Sequence, residues 1–364
     1  YEISTRDWSS DVCSSDLLLQ AYDPTLRASS LRLAAYAQDE WALGPHWAAH
    51  AGARWESLET RGDGEPGSDA PRNRSRVFSP LLHAVWKPDP KGRDQVRMSL
   101  TRSYRAPSTG TLIARPTLST RFPVDVTNDP TSPDRAGNPD LKPELATGID
   151  LAFERYLSGG GLLSANVFHR RIRDLMRSVT GAEPETVPWS TAPRYVARQR
   201  NIGRARTEGV ELESRFALDQ WLAEAPRVEL RANLAFYRSR VDSVPGPDNR
   251  LDQQARATSN LGADYRFRGG ALAPLAVGGN LNWVPRTETQ AAADQRLAEG
   301  GKRQFDLYAL WTFHPALALR LLASNAAPRD YETATTVATA TVVETAQTTG
   351  PTYTNWQLRL EFKL

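Results

Sequence analysis

Gly137-Asn138-Pro139-Asp140-Leu141-Lys142-Pro143-Glu144 opens, and Arg171-Ile172-Arg173-Asp174-Leu175-Met176 closes, the stretch on which the fold is decided. The two prolines of the opening fix φ and remove backbone donors, which gives a rigid, turn-rich entry. Ile149, Leu151, Phe153 and Leu157 then share one parity, against Asp150, Ala152, Glu154 and Tyr156 on the other. Side chains alternate across a strand, so this pattern predicts one apolar and one mostly polar face. Ser158-Gly159-Gly160-Gly161 supplies a tight turn. A second strand returns through Leu163, Ala165 and Val167, so the unit is a hairpin with a very short turn at one end and long connections at the other.

The same grammar repeats along the chain. Alternating runs are read from Leu31, Trp47, Val77, Val96, Ile149, Leu163, Val210, Val228, Leu261, Val277, Phe305, Leu317 and Trp356, about 13 strands in all. The last is the cleanest, with Trp356, Leu358, Leu360, Phe362 and Leu364 opposite Asn355, Gln357, Arg359, Glu361 and Lys363. Short turns such as Gly44-Pro45-His46 and His314-Pro315-Ala316 alternate with long connections, of which Arg105 to Glu144 is the longest. Trp47, Trp55, Tyr104, Trp283 and Trp356 lie near strand ends. Short turns on one side, long loops on the other and aromatic girdles are marks of a transmembrane antiparallel β-barrel. No fixed repeat period suggests a propeller, and a soluble sandwich does not account for the asymmetry of the connections.

Composition is compatible with this. Mean hydropathy is negative, and no apolar run reaches the roughly 18 residues a spanning helix requires. A spanning barrel needs apolar residues only at alternate positions, so its average can look soluble. The net charge of +3 over 364 residues comes from scattered basic residues; a nucleic-acid surface needs a clustered stripe. Cys13 is the one cysteine, so there is no disulfide framework to read. It lies within Tyr1 to Leu17, a Ser/Asp-rich stretch without strand alternation, which is read as a non-native scar or sequencing artefact.

The opening motif, its hairpin and the Arg171–Met176 run resemble the barrel of TonB-dependent outer-membrane receptors. Three further patterns fit in the family's order: Tyr36-Ala37-Gln38-Asp39-Glu40-Trp41 leading to Gly52-Ala53-Arg54-Trp55, Tyr104-Arg105-Ala106-Pro107-Ser108, and Asn201-Ile202-Gly203-Arg204-Ala205 leading to Glu208-Gly209-Val210-Glu211-Leu212-Glu213. The resemblance implies an all-β chain in the bacterial outer membrane, with short turns on the periplasmic side and long extracellular loops. Receptors of this kind have about 22 strands and a plug. Residues 18–364 are therefore expected to be the C-terminal part of the barrel, without the plug and early strands. Such an incomplete barrel leaves open edges, which bilayer hydrocarbon does not tolerate, and it is not expected to insert stably alone. The resemblance implies transport of a scarce nutrient, most often a ferric siderophore, otherwise cobalamin, haem or another metal complex. The implied partners are outer-membrane lipid and, through the plug region, the TonB energy-coupling complex. The alternatives are a passive outer-membrane porin and a soluble extracellular β-sheet binding protein.

Nothing in the sequence asks for catalysis, a cofactor or a nucleic-acid partner. His46, His50, His83, His169 and His314 are dispersed; His46 and His50 stand at a helical ligand spacing, but on a segment that reads as a strand. There is no nucleophile elbow, phosphate loop or paired acid and base. Arg61-Gly62-Asp63 reads more simply as a polar loop than as an adhesion tripeptide. The candidate ligand contacts lie in the long connections: Arg115, Arg121 and Phe122 in the first, Trp189, Arg194 and Tyr195 in the second. Guanidinium and aromatic groups suit a bulky anionic chelate, through charge-assisted hydrogen bonds and stacking.

Overall fold

The computed structural model describes residues 27–62, 70–113, 115–338 and 343–362. The Tyr1–Leu17 stretch, Asp63 of the tripeptide, and the terminal Lys363 and Leu364 lie outside the described residues. In chain order the strands are β1 (Ala28–Ala42), β2 (Trp47–Gly62), β3 (Arg72–Trp86), β4 (Gln95–Arg105), β5 (Asp134–Ala136), β6 (Glu144–Tyr156), β7 (Leu162–Arg173), β8 (Met176–Thr180), β9 (Val196–Asn201) and β10 (Ala205–Ala217). They continue with β11 (Val228–Val241), β12 (Ala257–Arg266), β13 (Leu275–Val284), β14 (Thr287–Gln290), β15 (Gln295–Glu299), β16 (Lys302–His314), β17 (Leu317–Ser324), β18 (Tyr331–Ala338), β19 (Val343–Gly350) and β20 (Asn355–Phe362). Among the described residues one short α-helix, α1, spans Thr109–Ile113.

Thirteen strands form one sheet in the order β1-β2-β3-β4-β6-β7-β10-β11-β12-β13-β16-β17-β20. These are the thirteen runs read from the sequence. Each pairs antiparallel with the next, and β1 and β20 leave the sheet open on its two sides. The other strands come from the long connections. They build a three-stranded sheet, β5-β9-β8, and a four-stranded sheet, β14-β15-β18-β19, which the apolar alternation did not reveal.

The pairing register separates the two faces of the wall. Gln95, Glu154, Ser164, Glu213, Asn233, Asn260, Asn282 and Gln304 form one cross-strand row, polar throughout. One residue along each strand, the row reads Val96, Phe153, Ala165, Leu212, Leu234, Ser259 and Trp283. Apolar side chains on this second face are open: Ile149 is 60% exposed and Val167 51%, whereas Phe168, pointing the other way, is 5% exposed. The greasy rows therefore face outward and the polar rows line the concave side, the reverse of a soluble sandwich. On β11 the outward apolar row runs from Val228 to Phe236, about 27 Å of strand and within the roughly 9–11 residues of a tilted spanning strand.

Aromatic rings mark the short-turn end. Trp47 packs against Trp86 at 6.2 Å, Phe216 against Trp221 at 5.9 Å, Tyr265 against Phe267 at 4.8 Å and Trp311 against Phe313 at 6.4 Å. Toward the other end Trp55, Phe78, Trp283 and Trp356 are exposed. Tyr104 departs from the girdle expected of it. Pairing of β3 with β4 stops at Leu81–Thr101 while β4 stays paired with β6 up to Arg105, and the freed Tyr104 hydroxyl accepts from Arg32 Nη2 at 2.9 Å. In the β6–β7 turn, Gly159 and Gly160 hold φ of 98° and 94°, a region that side-chain-bearing residues avoid.

Candidate functional site

The motifs that decided the fold meet at the foot of the two longest loops. Asn201 is their hub. Its Oδ1 accepts from the Lys142 amide at 2.8 Å, and its Nδ2 donates to the carbonyls of Lys142 at 2.9 Å and Asp174 at 2.7 Å. Asn138 Nδ2 donates to Gln199 O at 2.9 Å, and Asn73 Nδ2 to the carbonyls of Pro139 and Leu141 at 2.7 and 2.8 Å. Backbone bonds from Ile202 to Leu175 O (2.8 Å) and from Leu175 to Gly203 O (2.9 Å) complete the clasp. Leu112 and Ile113 of α1 pack with Leu141 and Met176 beside it. Three separate motifs are thus one device, which fixes where the long loops leave the wall.

Above the clasp the loops hold one another through a buried ion pair. Asp134 and Arg194 are both 0% exposed. Arg194 donates to both carboxylate oxygens, Nη2 to Oδ1 at 2.9 Å and Nε to Oδ2 at 3.0 Å. Its Nη1 donates to Pro123 O at 2.8 Å and also to Val126 O. Trp189 Nε1 donates to Asp134 Oδ2 at 3.0 Å, and the Ser119 amide to Oδ1 at 2.9 Å. Burial pushes the Asp134 carboxyl up, but Arg194, the Ser119 amide and Trp189 together outweigh it and hold it below the ordinary aspartate value. Buried charges persist when paired and fully hydrogen-bonded, and this pair is both.

A second pin, not legible in the sequence, is Arg177, whose side chain is 2% exposed. Its Nη1 donates to Ala291 O at 2.7 Å, its Nη2 to Arg250 O at 2.7 Å, and its Nε to Asp252 Oδ2 at 3.2 Å. It ties β8 to the β11–β12 and β14–β15 connections. Arg105 Nη2 donates to Glu144 Oε1 at 3.0 Å, and that carboxylate also accepts from the Met176 amide at 2.8 Å.

Between these pins lies a cavity of about 1000 Å³. Its lining draws on the wall (Arg105, Ile172), on β8 (Met176), on the first long loop (Arg115, Arg135) and on β18 (Thr335, Val337). Arg105 is committed to Glu144, while Arg135 is exposed and makes no ion pair among the described residues. A cavity with apolar and guanidinium walls can hold a bulky anion by contact and charge together.

The six residues singled out from sequence are spread over this region. Arg115 lines the cavity. Arg121 lies over the Phe122 ring at 5.8 Å from its centroid, near the surface. Trp189 and Arg194 belong to the buried pin, where their donors are spent on Asp134 and, for Arg194, on the Pro123 and Val126 carbonyls as well. Tyr195 holds Asn128 through its backbone, its amide donating to Asn128 Oδ1 at 2.7 Å. Burial, with Glu183 and Glu344 nearby, raises its phenol above the ordinary tyrosine value. Arg135 and Arg177 escaped sequence reasoning, because neither stands in a motif and their neighbours come from distant connections.

Comparison with known proteins gives concordant results. The family description "TonB dependent receptor-like, beta-barrel" matches residues 5–326. An iron-regulated outer membrane virulence protein of Vibrio cholerae is 28% identical over 194 residues, 50% of this chain and 24% of the relative. Among solved structures, the copper transporter OprC is similar over 84% of this chain and 43% of its own, at a TM-score of 0.60 and 15% identity. The FrpB iron transporter from Neisseria meningitidis is similar over 87% and 44%, at 0.55 and 17%. The chain thus spans about a quarter of the curated relative and less than half of either solved structure.

Proposed function

This chain belongs to the TonB-dependent receptor-like β-barrel family, in the bacterial outer membrane, and we propose that it is the ligand-admitting wall of a receptor that carries a ferric siderophore, or a comparable scarce metal chelate, into the periplasm. This is transport, not catalysis. The observation that carries the reading is the cavity of about 1000 Å³ under the linked long loops, with Arg115 and Arg135 in its lining. Arg115, Arg121, Phe122 and Tyr195 are the proposed ligand contacts, while Trp189 and Arg194 set the shape of the loops that present them. Passage through the barrel is proposed to draw on the TonB complex acting on a plug in the intact receptor. The names of the relatives, an iron-regulated protein and an iron transporter, support iron as the metal.

The test is growth of the source bacterium, with and without the gene, on single defined ferric siderophores, haem or cobalamin as the only source of the nutrient. Loss of growth on one ferric chelate, restored by the gene, is the expected result. Undiminished growth on every source, with free passage of small uncharged solutes through the purified protein, would replace the receptor by a passive channel.

A further inference from the structure

Two histidines that are far apart in sequence are neighbours in the wall. His50 stands directly opposite His83 across the β2–β3 ladder. His46, four residues from His50, is engaged elsewhere, its Nδ1 lying 2.7 Å from the Lys87 carbonyl oxygen. The cross-strand row through the pair reads Glu40, His50, His83, Ser99 and Asp150. This row lies on the concave face: His83, Ser99 and Asp150 all line a cavity of about 950 Å³ on the lumenal side of the wall. It sits toward the short-turn end, the opposite end of the wall from the cavity under the loops.

The two imidazoles have centroids 5.7 Å apart and planes inclined by 23°. Neither makes a hydrogen bond or an ion pair among the described residues. His50 Nε2 is shut off from solvent and has no hydrogen-bond partner. Buried polar atoms of folded chains nearly always have a partner, so an orphaned ring nitrogen asks for one from outside. A neutral imidazole carries a ring-nitrogen lone pair, which makes it a metal ligand. An ion about 2.0–2.1 Å from a ring nitrogen lies about 3.2 Å from the ring centre, so two rings on one tetrahedral ion have centres about 5–6 Å apart. The observed separation falls within that range, and two strands of a paired sheet hold it. The cations nearest along the same face, Arg54 and Arg97, are taken up by Glu56 and Glu154, so no free guanidinium opposes an ion there.

We propose that His50 and His83 together hold a late first-row divalent ion (Cu²⁺, Ni²⁺ or Zn²⁺) on the lumenal wall. Imidazole nitrogen favours these ions over Mg²⁺ and Ca²⁺, which take oxygen ligands. No group of three histidine, cysteine or acidic side chains converges among the described residues. The remaining coordination positions therefore belong to water and, by rotation of its side chain, to Glu40. That carboxylate is exposed, stands opposite His50 and makes no ion pair among the described residues. The site is open to the lumen through His83, and it stands whichever ligand the receptor carries.

The intact receptor, purified in neutral detergent and stripped of metal with a chelator, is titrated with Cu²⁺. The expected result is a bound ion whose electron paramagnetic resonance spectrum shows coupling to two imidazole nitrogens. That signal is lost in the His50→Gln/His83→Gln variant, each single variant binds about tenfold or more weakly, and His314→Gln binds as the unaltered receptor does. Failure of the receptor to bind Cu²⁺, or an unchanged signal in a double variant that keeps its heat-modifiable gel mobility, overturns the proposal. Should the variants not fold, the unaltered receptor decides through carbethoxylation of its histidines. Zn²⁺ is expected to protect His83 while the exposed His314 still reacts, and equal reaction of His83 with and without Zn²⁺ overturns the site.

Discussion

Asp134 and Arg194, sixty residues apart in sequence, meet in a two-pronged contact from which solvent is excluded, and through it the two longest loops become one body. Asp134→Ala leaves the guanidinium buried without its counter-charge, a change that costs about 3–5 kcal/mol. The loss is expected in the loops and not in the wall. Hydrogen exchange should accelerate around Ser119, Asn128 and Trp189, while the gel mobility of the intact barrel stays heat-modifiable. The carboxyl is held below its ordinary value, so its contribution is complete above the unfolded aspartate pKa and fades as pH falls through the lower folded one. Loop protection followed by exchange should therefore be flat near neutrality and decline only in acid.

Arg177 donates to two backbone carbonyls and a carboxylate on separate connections. An ammonium cannot fork among them, so Arg177→Lys is expected to loosen Arg250, Asp252 and Ala291 nearly as much as Arg177→Ala. Protease nicking of these connections in the purified receptor is the readout, and full protection in the lysine variant would contradict the argument.

Asn201 serves one acceptor and two donor contacts in the clasp. Asn201→Asp keeps the acceptor and turns two attractive contacts into carboxylate against carbonyl, so it should be worse than Asn201→Ala. The alanine change is expected to cost about 0.5–1.5 kcal/mol for half-exposed hydrogen bonds that water partly replaces, read as a fall in the temperature at which heat-modifiable mobility is lost.

Gly209 faces Phe168 across the lumen side of the wall. A Cβ built there would stand 2.8 Å from the Phe168 ring and 2.7 Å from the Phe236 carbonyl. Gly209→Ala should lower thermal stability by about 1–3 kcal/mol through overpacking. Because part of the clash is with backbone, Phe168→Leu is expected to recover only some of it.

Arg115 and Arg135 both line the cavity under the loops. If it receives an anionic chelate, Arg115→Ala and Arg135→Ala should each weaken binding of the transported ferric chelate by roughly tenfold, measured by tryptophan fluorescence, with circular dichroism unchanged. Unaltered affinity in both variants would move the ligand elsewhere.

The wall was open to reading from sequence because lipid on one side and water on the other impose a period of two, and Ile149, Leu151 and Phe153 display it without interruption. The loops obey no such constraint. Asp134, Arg177 and Arg194 look like ordinary polar loop residues until distant segments bring their partners. The connection from Ala326 to Thr352, rich in threonine and alanine, did carry a signal, since Thr333, Thr335 and Val337 share a parity and β-branched residues favour strands. Tyr104 was misjudged because its local alternation says nothing of where β4 parts from β3.

The three-stranded sheet takes β5 from one long connection and β8 and β9 from another, and the four-stranded sheet likewise joins β14 and β15 to β18 and β19. Neither member of such a couple can be lengthened, trimmed or exchanged without its mate losing a hydrogen-bonded neighbour. Sequence drift at the mouth should therefore come in matched pairs of segments, and a chimera that imports one of them alone from a relative should inherit neither parent's specificity.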